Sequence, residues 1–312
     1  MDTLAVVLNA PEQLELCSLT LTPPTTDHVV VEVEWSGIST GTERLLWSGK
    51  MPPFPGMGYP LVPGYESVGR VIKGDRAGAL QVGERVFVPG ASCFGEVRGL
   101  FGGAASHLAV PPERLTRLDE SLGAEGVLLA LAATAQHALA GGDGRPADLI
   151  IGHGVLGRLL ARIAVAGGAS PVVWENNPAR AEGAIGYRVI DPSEDTRRDY
   201  RAIYDVSGDA SLVEPLIGRL ARGGEIVLAG FYSEPISFHF PLAFIKEARL
   251  RIAAEWHPRD MDVVTALLAA GRLPLEGLIT HRRHHTQAAD AYTIAFTDPS
   301  CLKMLLDWRV RT

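Results

Sequence analysis

Residues 149–157 read Leu149-Ile150-Ile151-Gly152-His153-Gly154-Val155-Leu156-Gly157. Three apolar residues make a short buried strand. The glycines then fall as G-x-G-x-x-G ahead of an apolar helix predicted over 156–166. A strand–turn–helix of this kind accepts a pyrophosphate. Gly152 permits the tight turn, Gly154 lets the backbone come close to phosphate, and Gly157 lets the helix pack on the sheet. Val155 and Leu156 lead into the helix, and the positive end of its dipole attracts anions. The bland alternative is a glycine-rich turn that binds nothing.

Working outward, Pro171–Trp174 is the next predicted strand, and Glu175 ends it, 23 residues after Gly152. A carboxylate there accepts hydrogen bonds from ribose hydroxyls and repels a 2′-phosphate, so NAD is expected over NADP. Its alternative is a solvated strand end. Further strands are expected at 202–206 and 225–229. Strands alternating with helices imply a parallel sheet covered on both faces. Before this region, a helix is expected over 127–139. Earlier still the texture is β-rich: Val29, Val31, Val33 and Trp35 alternate with polar residues, and 82–88 reads as a turn and strand. Prolines and glycines crowd residues 52–64, as in irregular loops. Beyond the sheet, 262–270 reads as a helix stopping at Gly271, 278–280 as a strand, and 288–296 as a last helix.

The chain has 312 residues, enough for two domains, and a net charge of −7 that disfavours a nucleic-acid partner. Asp2 follows Met1 with no basic start and apolar run, as expected of a cytoplasmic protein. The most apolar stretch, 127–140, is too short to cross a bilayer. Three separated cysteines, Cys17, Cys93 and Cys301, exclude a disulfide framework and a cysteine-rich zinc site.

The order of parts resembles the medium-chain dehydrogenase family. The match rests on Ser36-Gly37-Ile38-Ser39, Pro63-Gly64-Tyr65-Glu66, the glycine fingerprint, and Asp205-Val206-Ser207-Gly208 leading to Gly223-Gly224-Glu225-Ile226-Val227. It implies an α/β fold: a GroES-like β-rich catalytic domain (1–120 with 256–312) and a Rossmann domain, a doubly wound parallel sheet (121–255). Zinc-dependent members carry Cys and His where this chain has Ser39 and Tyr65. Neutral hydroxyls are poor zinc ligands, so no metal is expected. A longer stretch, Ser36 to Glu43 (SGISTGTE) and Met51 to Glu66 (MPPFPGMGYPLVPGYE), resembles a zinc-lacking branch of the family. That branch oxidises the hydroxyethyl group of a bacteriochlorophyllide with NAD. The resemblance implies a tetrapyrrole substrate and a homodimer paired around 236–242. Contact with the surface of a photosynthetic membrane is compatible with it. It also puts Thr134 beside the nicotinamide, while Ser207 and Gly230 follow later strands at their C-terminal ends, where ligands of doubly wound sheets bind.

Without zinc, side chains must take the hydroxyl proton. Tyr65 is the first candidate, as donor or relay, with Ser39 and Thr40 completing the path; its alternative is a packed aromatic. The register leaves Thr40 and Thr42 both open as the residue facing substrate. Glu66 is either a base or a structural carboxylate. His257 is a proton shuttle, an axial ligand for the macrocycle's magnesium, or a surface imidazole. Trp47, Met51, Phe54, Met57 and Tyr59 either cover the macrocycle or form a satellite core. His281, Arg282, Arg283, His284 and His285 are a solvated strand end or a partner for a substrate carboxylate. Two other functions compete: a zinc-free NADPH-dependent quinone or enone reductase, and a non-catalytic dinucleotide-binding protein.

Overall fold

The structure is a computed structural model that describes residues 1–309 except Phe54 and Asp143. The chain forms two compact units, Met1–Ala130 with the tail from Leu278, and Leu131–Gly277. The second unit holds 256–277 because that segment is tied to it: the Arg162 guanidinium donates to the carbonyls of Pro274 and Glu276.

In the second unit six strands form one parallel sheet in the order Arg188–Ile190, Val172–Trp174, Leu149–Ile151, Tyr200–Asp205, Leu220–Leu228, Arg249–Ile252. The first three strands in sequence run outward from Leu149–Ile151, and the chain then returns to its other side. This reversal makes a topological switch point beside Gly152, where ligands of such sheets bind. Leu149, Ile150 and Ile151 are buried, as a strand covered on both faces requires. The helix Val155–Ala166 follows, and buries Leu159, Leu160 and Ile163. The dimer-pairing strand expected around 236–242 is not there. Phe240–Lys246 is a helix with Pro241 in its first turn, where a missing N–H costs nothing, whereas a sheet ladder would lose a bond. The sheet edge is Arg249–Ile252 instead. The helix expected from 262 begins at Pro258, with the Asp260 carboxylate accepting the His257 N–H at 2.8 Å.

The first unit holds a seven-stranded and a four-stranded sheet. The strand Val29–Ile38 pairs with Met304–Asp307, Ser67–Lys73 and His107–Val110. A register shift between Val33 and Trp35 reverses which residues face inward. Val31 and Val33 lie in the core, then Ile38, while Trp35 is covered by the guanidiniums of Arg309 and Arg282, 4.0 and 5.5 Å from its ring. The strand expected at 278–280 begins only at His281, because the Thr280 hydroxyl itself accepts the Leu302 N–H. The helical stretch Glu120–Ala140 is long and apolar enough to count as a membrane span by composition. Gly123 departs from helical geometry within it, and only Leu129–Ala140 is α-helix. Twelve residues at about 1.5 Å each reach ~18 Å, short of a ~30 Å hydrocarbon layer.

Candidate functional site

The glycine turn has the geometry its sequence demands. Gly152 sits at φ +101°, which only glycine adopts without strain. A Cβ on Gly157 would lie 1.9 Å from the Gly152 carbonyl oxygen, so helix and turn meet there without a side chain. A Cβ on Gly154 would meet nothing within 4 Å. Gly154 is the N-cap of the helix and no side chain caps it. The turn therefore leaves the first N–H groups of the helix, from Val155 and Leu156, free of side-chain caps beside open space, which fits a pyrophosphate. Glu175 is half-buried, and its two oxygens accept the His153 N–H at 3.1 Å and the Asn177 N–H at 2.8 Å. A carboxylate has about four lone-pair sites, so capacity for ribose hydroxyls remains.

His153, inside the fingerprint, is wholly buried. Its Nδ1 lies 2.6 Å from the Arg180 carbonyl and its Nε2 2.8 Å from the Tyr187 hydroxyl. That pattern suits a neutral ring with the proton on Nδ1, and burial pushes its pKa down to about 4. The buried Arg158 guanidinium donates to the carbonyls of His153, Arg180 and Glu182. Together they fasten the segment after Glu175 to the turn.

The other residues expected at the cofactor lie in the same unit. Ser207 follows Tyr200–Asp205, but its hydroxyl donates back to Asp205 at 2.6 Å. Gly230 packs where a Cβ would sit 2.8 Å from the Gly208 nitrogen. Thr134 is half-buried on Leu129–Ala140, one turn before His137. His257 is exposed and meets His137 edge-on at 4.8 Å, and His137 Nδ1 lies 2.9 Å from buried Asp260. This imidazole belongs to a helix-capping cluster, whichever further role it has.

In the first unit, Ser39 and Tyr65 come together. The Tyr65 hydroxyl donates to Ser39 Oγ at 2.6 Å, and its ring meets Phe101 edge-on. Burial first, then the Glu66 carboxylate, pushes the Tyr65 phenol above its ordinary range, while bonds to Ser39 and Thr42 oppose the rise. Thr42 is near enough to enter that balance, and Thr40 does not enter it. Glu66 is fully buried and paired with the equally buried Lys303, Nζ lying 2.6 and 2.9 Å from its oxygens. Burial raises the Glu66 carboxyl and the ammonium opposes that rise. Its hydrogen bonds go to Lys303, not to Ser39 or Tyr65. Gly37 makes room for it: a Cβ there would lie 2.2 Å from Glu66 Oε2.

Trp47, Met51, Met57 and Tyr59 pack on their own unit. Met51 joins Leu8, Leu46, Leu61 and Leu100 in a small core, Met57 and Tyr59 pack against it, and Trp47 meets Phe296 at 5.4 Å. The Tyr59 hydroxyl donates to the Leu46 carbonyl. Phe54 lies outside the described residues. Arg282, Arg283 and His284 of the basic strand His281–His284 line an open groove of about 730 Å³ with Trp35 and Arg309. Among the described residues no three His, Cys, Asp or Glu side chains converge to hold a metal.

Three members of the buried cluster escape sequence reading: Glu43, Lys303 and Tyr292. Lys303 left a signal as a lone charge in the apolar run Leu302–Leu306, and Glu43 stood only as the end of the resembling stretch SGISTGTE. Glu43 and Tyr292 are 249 residues apart, and their bond exists only through the fold.

The alcohol dehydrogenase GroES-like domain family matches residues 25–120. The 2-desacetyl-2-hydroxyethyl bacteriochlorophyllide A dehydrogenase of Rhodobacter capsulatus is 57% identical over 311 residues, 99% of each chain. The protein of the same description from Cereibacter sphaeroides is 58% identical over 315 residues, again 99% of each. Among solved structures, a short chain alcohol dehydrogenase from Escherichia coli complexed with NADH superposes with a TM-score of 0.83 at 22% identity, covering 98% of this chain and 99% of that one.

Proposed function

The chain belongs to the family of 2-desacetyl-2-hydroxyethyl bacteriochlorophyllide A dehydrogenases, within the medium-chain dehydrogenases, and on that premise we propose that it oxidises the hydroxyethyl group of that bacteriochlorophyllide to acetyl with NAD and without zinc. Full-length identity above one half to two proteins of that description carries the reading.

The residues fit a nicotinamide dinucleotide. Gly152, Gly154, Val155, Leu156 and Gly157 would hold the pyrophosphate, and Glu175 the adenosine ribose. The Glu175 charge favours NAD. When bound, the dinucleotide supplies the hydride acceptor. The chain's own side chains then deal with the proton. Oxidation takes a hydride from the carbinol carbon and a proton from its oxygen. Tyr65 keeps its proton at neutral pH, so in the resting protein it donates a hydrogen bond to Ser39 rather than acting as a free base. Tyr65 and Ser39 orient the substrate oxygen, and its proton leaves through the Ser39 and Thr42 hydroxyls to solvent water as the hydride leaves the carbinol carbon. Glu66 holds Lys303 and takes no proton from the substrate. The ligand chemistry at Ser39 and Tyr65 supports zinc independence, since neither is a thiolate or an imidazole.

We also propose a homodimer formed along the sheet edge. Among the described residues the strand Arg249–Ile252 is the last of its sheet, and its Ile252, with Phe240, Phe244 and Ile245 of the preceding helix, is at least 67% exposed. Sedimentation should give a dimer that Ile252→Lys dissociates; a wild-type monomer removes the proposal.

The decisive experiment is the absorption of chelator-treated protein with 2-desacetyl-2-hydroxyethyl bacteriochlorophyllide A and NAD⁺. Loss of the substrate spectrum with matching growth of NADH is expected. Turnover with NADP⁺ alone reverses the cofactor choice. Activity that requires added zinc overturns the metal-free mechanism. Dinucleotide binding with no turnover favours a non-catalytic protein.

A further inference from the structure

The peptide joining Ile38 to Ser39 is held at both ends by buried charge. Its carbonyl accepts from Lys303 Nζ at 3.3 Å, and its N–H donates to Glu43 Oε1 at 3.0 Å. Glu43 is wholly buried in the first turn of the helix Thr42–Trp47. Its second oxygen accepts the Tyr292 hydroxyl at 2.8 Å, and Tyr292 is itself buried on the helix Ala288–Thr297. One carboxylate thus joins the end of a strand, the start of a helix and the C-terminal helix at the residue that receives the Tyr65 hydrogen bond.

A packed backbone alone does not need this. A buried carboxylate without a cation of its own is costly, and a neutral side chain could cap one N–H. Glu66 takes the ammonium in direct contact, so two buried carboxylates share a single Lys303.

We propose that Glu43 is the positioning residue of the Ser39–Tyr65 pair: its carboxylate fixes the Ile38–Ser39 peptide plane and so aims the Ser39 hydroxyl at Tyr65. This rests on the reading that Ser39 and Tyr65 handle the substrate hydroxyl. The ionised carboxylate accepts both the Ser39 N–H and the Tyr292 O–H. The protonated acid must itself donate with one oxygen, and the clamp loosens. The groups that face Glu43 are Ser39 and Tyr292 through hydrogen bonds, with Glu66, Lys303 and Tyr65 through charge. Burial and the Glu66 charge raise the Glu43 pKa to about 7, while the Ser39 N–H, the Tyr292 hydroxyl and Lys303 oppose the rise. The clamp therefore closes as pH rises through neutrality.

The test has two readouts. In ¹⁵N-labelled protein the Ser39 amide resonance should titrate with a midpoint near the value of about 7 given by the Glu43 environment, and lose that titration in Glu43→Gln. This needs no turnover, so it stands whatever the substrate. In steady-state oxidation kcat should rise with pH through the same midpoint. Glu43→Gln should lower kcat roughly tenfold, remove that limb, and leave KM for pigment and NAD⁺ within about twofold. Tyr292→Phe, which removes one donor to the same carboxylate, should shift the midpoint upward and keep the limb. A Ser39 amide that does not titrate, or a Glu43→Gln enzyme that is less stable but keeps the wild-type limb, overturns the proposal. A wild-type protein with the amide titration and no pigment turnover sinks the proposed function and leaves the clamp standing.

Discussion

The turn at Gly152–Gly157 and the cluster around Ser39 and Tyr65 reach function by opposite means. The turn works by what its residues lack. Gly152 needs a positive φ, Gly157 has no room for a Cβ, and Gly154 has open space in front of it. The cluster works by what is enclosed: two carboxylates, an ammonium and two phenols, nearly all out of reach of water. Backbone shape is local and survives in a six-residue pattern. Buried charge is a balance among distant residues, and removing one member leaves the others unpaired.

The largest effect should follow from breaking that balance. Lys303→Met leaves Glu66 and the Ile38 carbonyl buried without their donor, and should cost about 3–5 kcal/mol of stability. Denaturant unfolding checks this. Adding Glu66→Gln should return most of the loss, because the stranded charge is then gone. A double variant as unstable as the single one would mean that packing, not charge, governs the cluster.

Next comes the chemistry. Tyr65→Phe removes one hydroxyl and should lower kcat by about 10²-fold or more, with NADH binding unchanged. Full activity in this variant would reduce Tyr65 to an aromatic packed on Phe101. The turn offers the converse test. Gly154→Ala places a Cβ in free space, so the melting temperature should hold within about 2 °C while NADH affinity falls roughly tenfold, ~1.4 kcal/mol. Unchanged affinity would mean that no phosphate approaches this backbone.

The same contrast explains what could be read from the chain beforehand. The strand and helix either side of the fingerprint were legible because apolar periodicity and glycine spacing are local. Ser39 and Tyr65 were legible as departures from a zinc-ligand pattern. Their neighbours were not. The choice between Thr40 and Thr42 turns on one residue of register entering a short helix. Lys303 pairs with Glu66 across 237 positions. The stretch 236–242, read as a dimer strand, runs into the helix Phe240–Lys246, where the preference of Pro241 for a first helical turn competes with an apolar run that suits either state. The loop of Trp47, Met51, Met57 and Tyr59 is apolar because it covers a small core, and composition alone does not separate that from a ligand face.

In the wild-type protein the smallest net effect comes from two slopes that separate the regions by sign. Glu43, raised from 4.5 to about 7, binds a proton more tightly folded than unfolded. Its contribution to stability is full below pH 4.5 and is lost as pH rises through about 7. His153, lowered from 6.5 to about 4, contributes above pH 6.5 and loses that as pH falls through about 4. Between pH 5 and 6.5 the two slopes oppose each other, each up to about 1.4 kcal/mol per pH unit, so the wild-type protein should show a nearly flat stability profile there. Glu43→Gln removes the falling slope, and the variant should gain stability as pH rises across that window. His153→Gln removes the rising slope, and its stability should fall instead. Melting temperatures at three pH values are enough to read both. If the two variants drift in the same direction, the buried groups titrate together, and charge in this protein is shared between the regions rather than set by each.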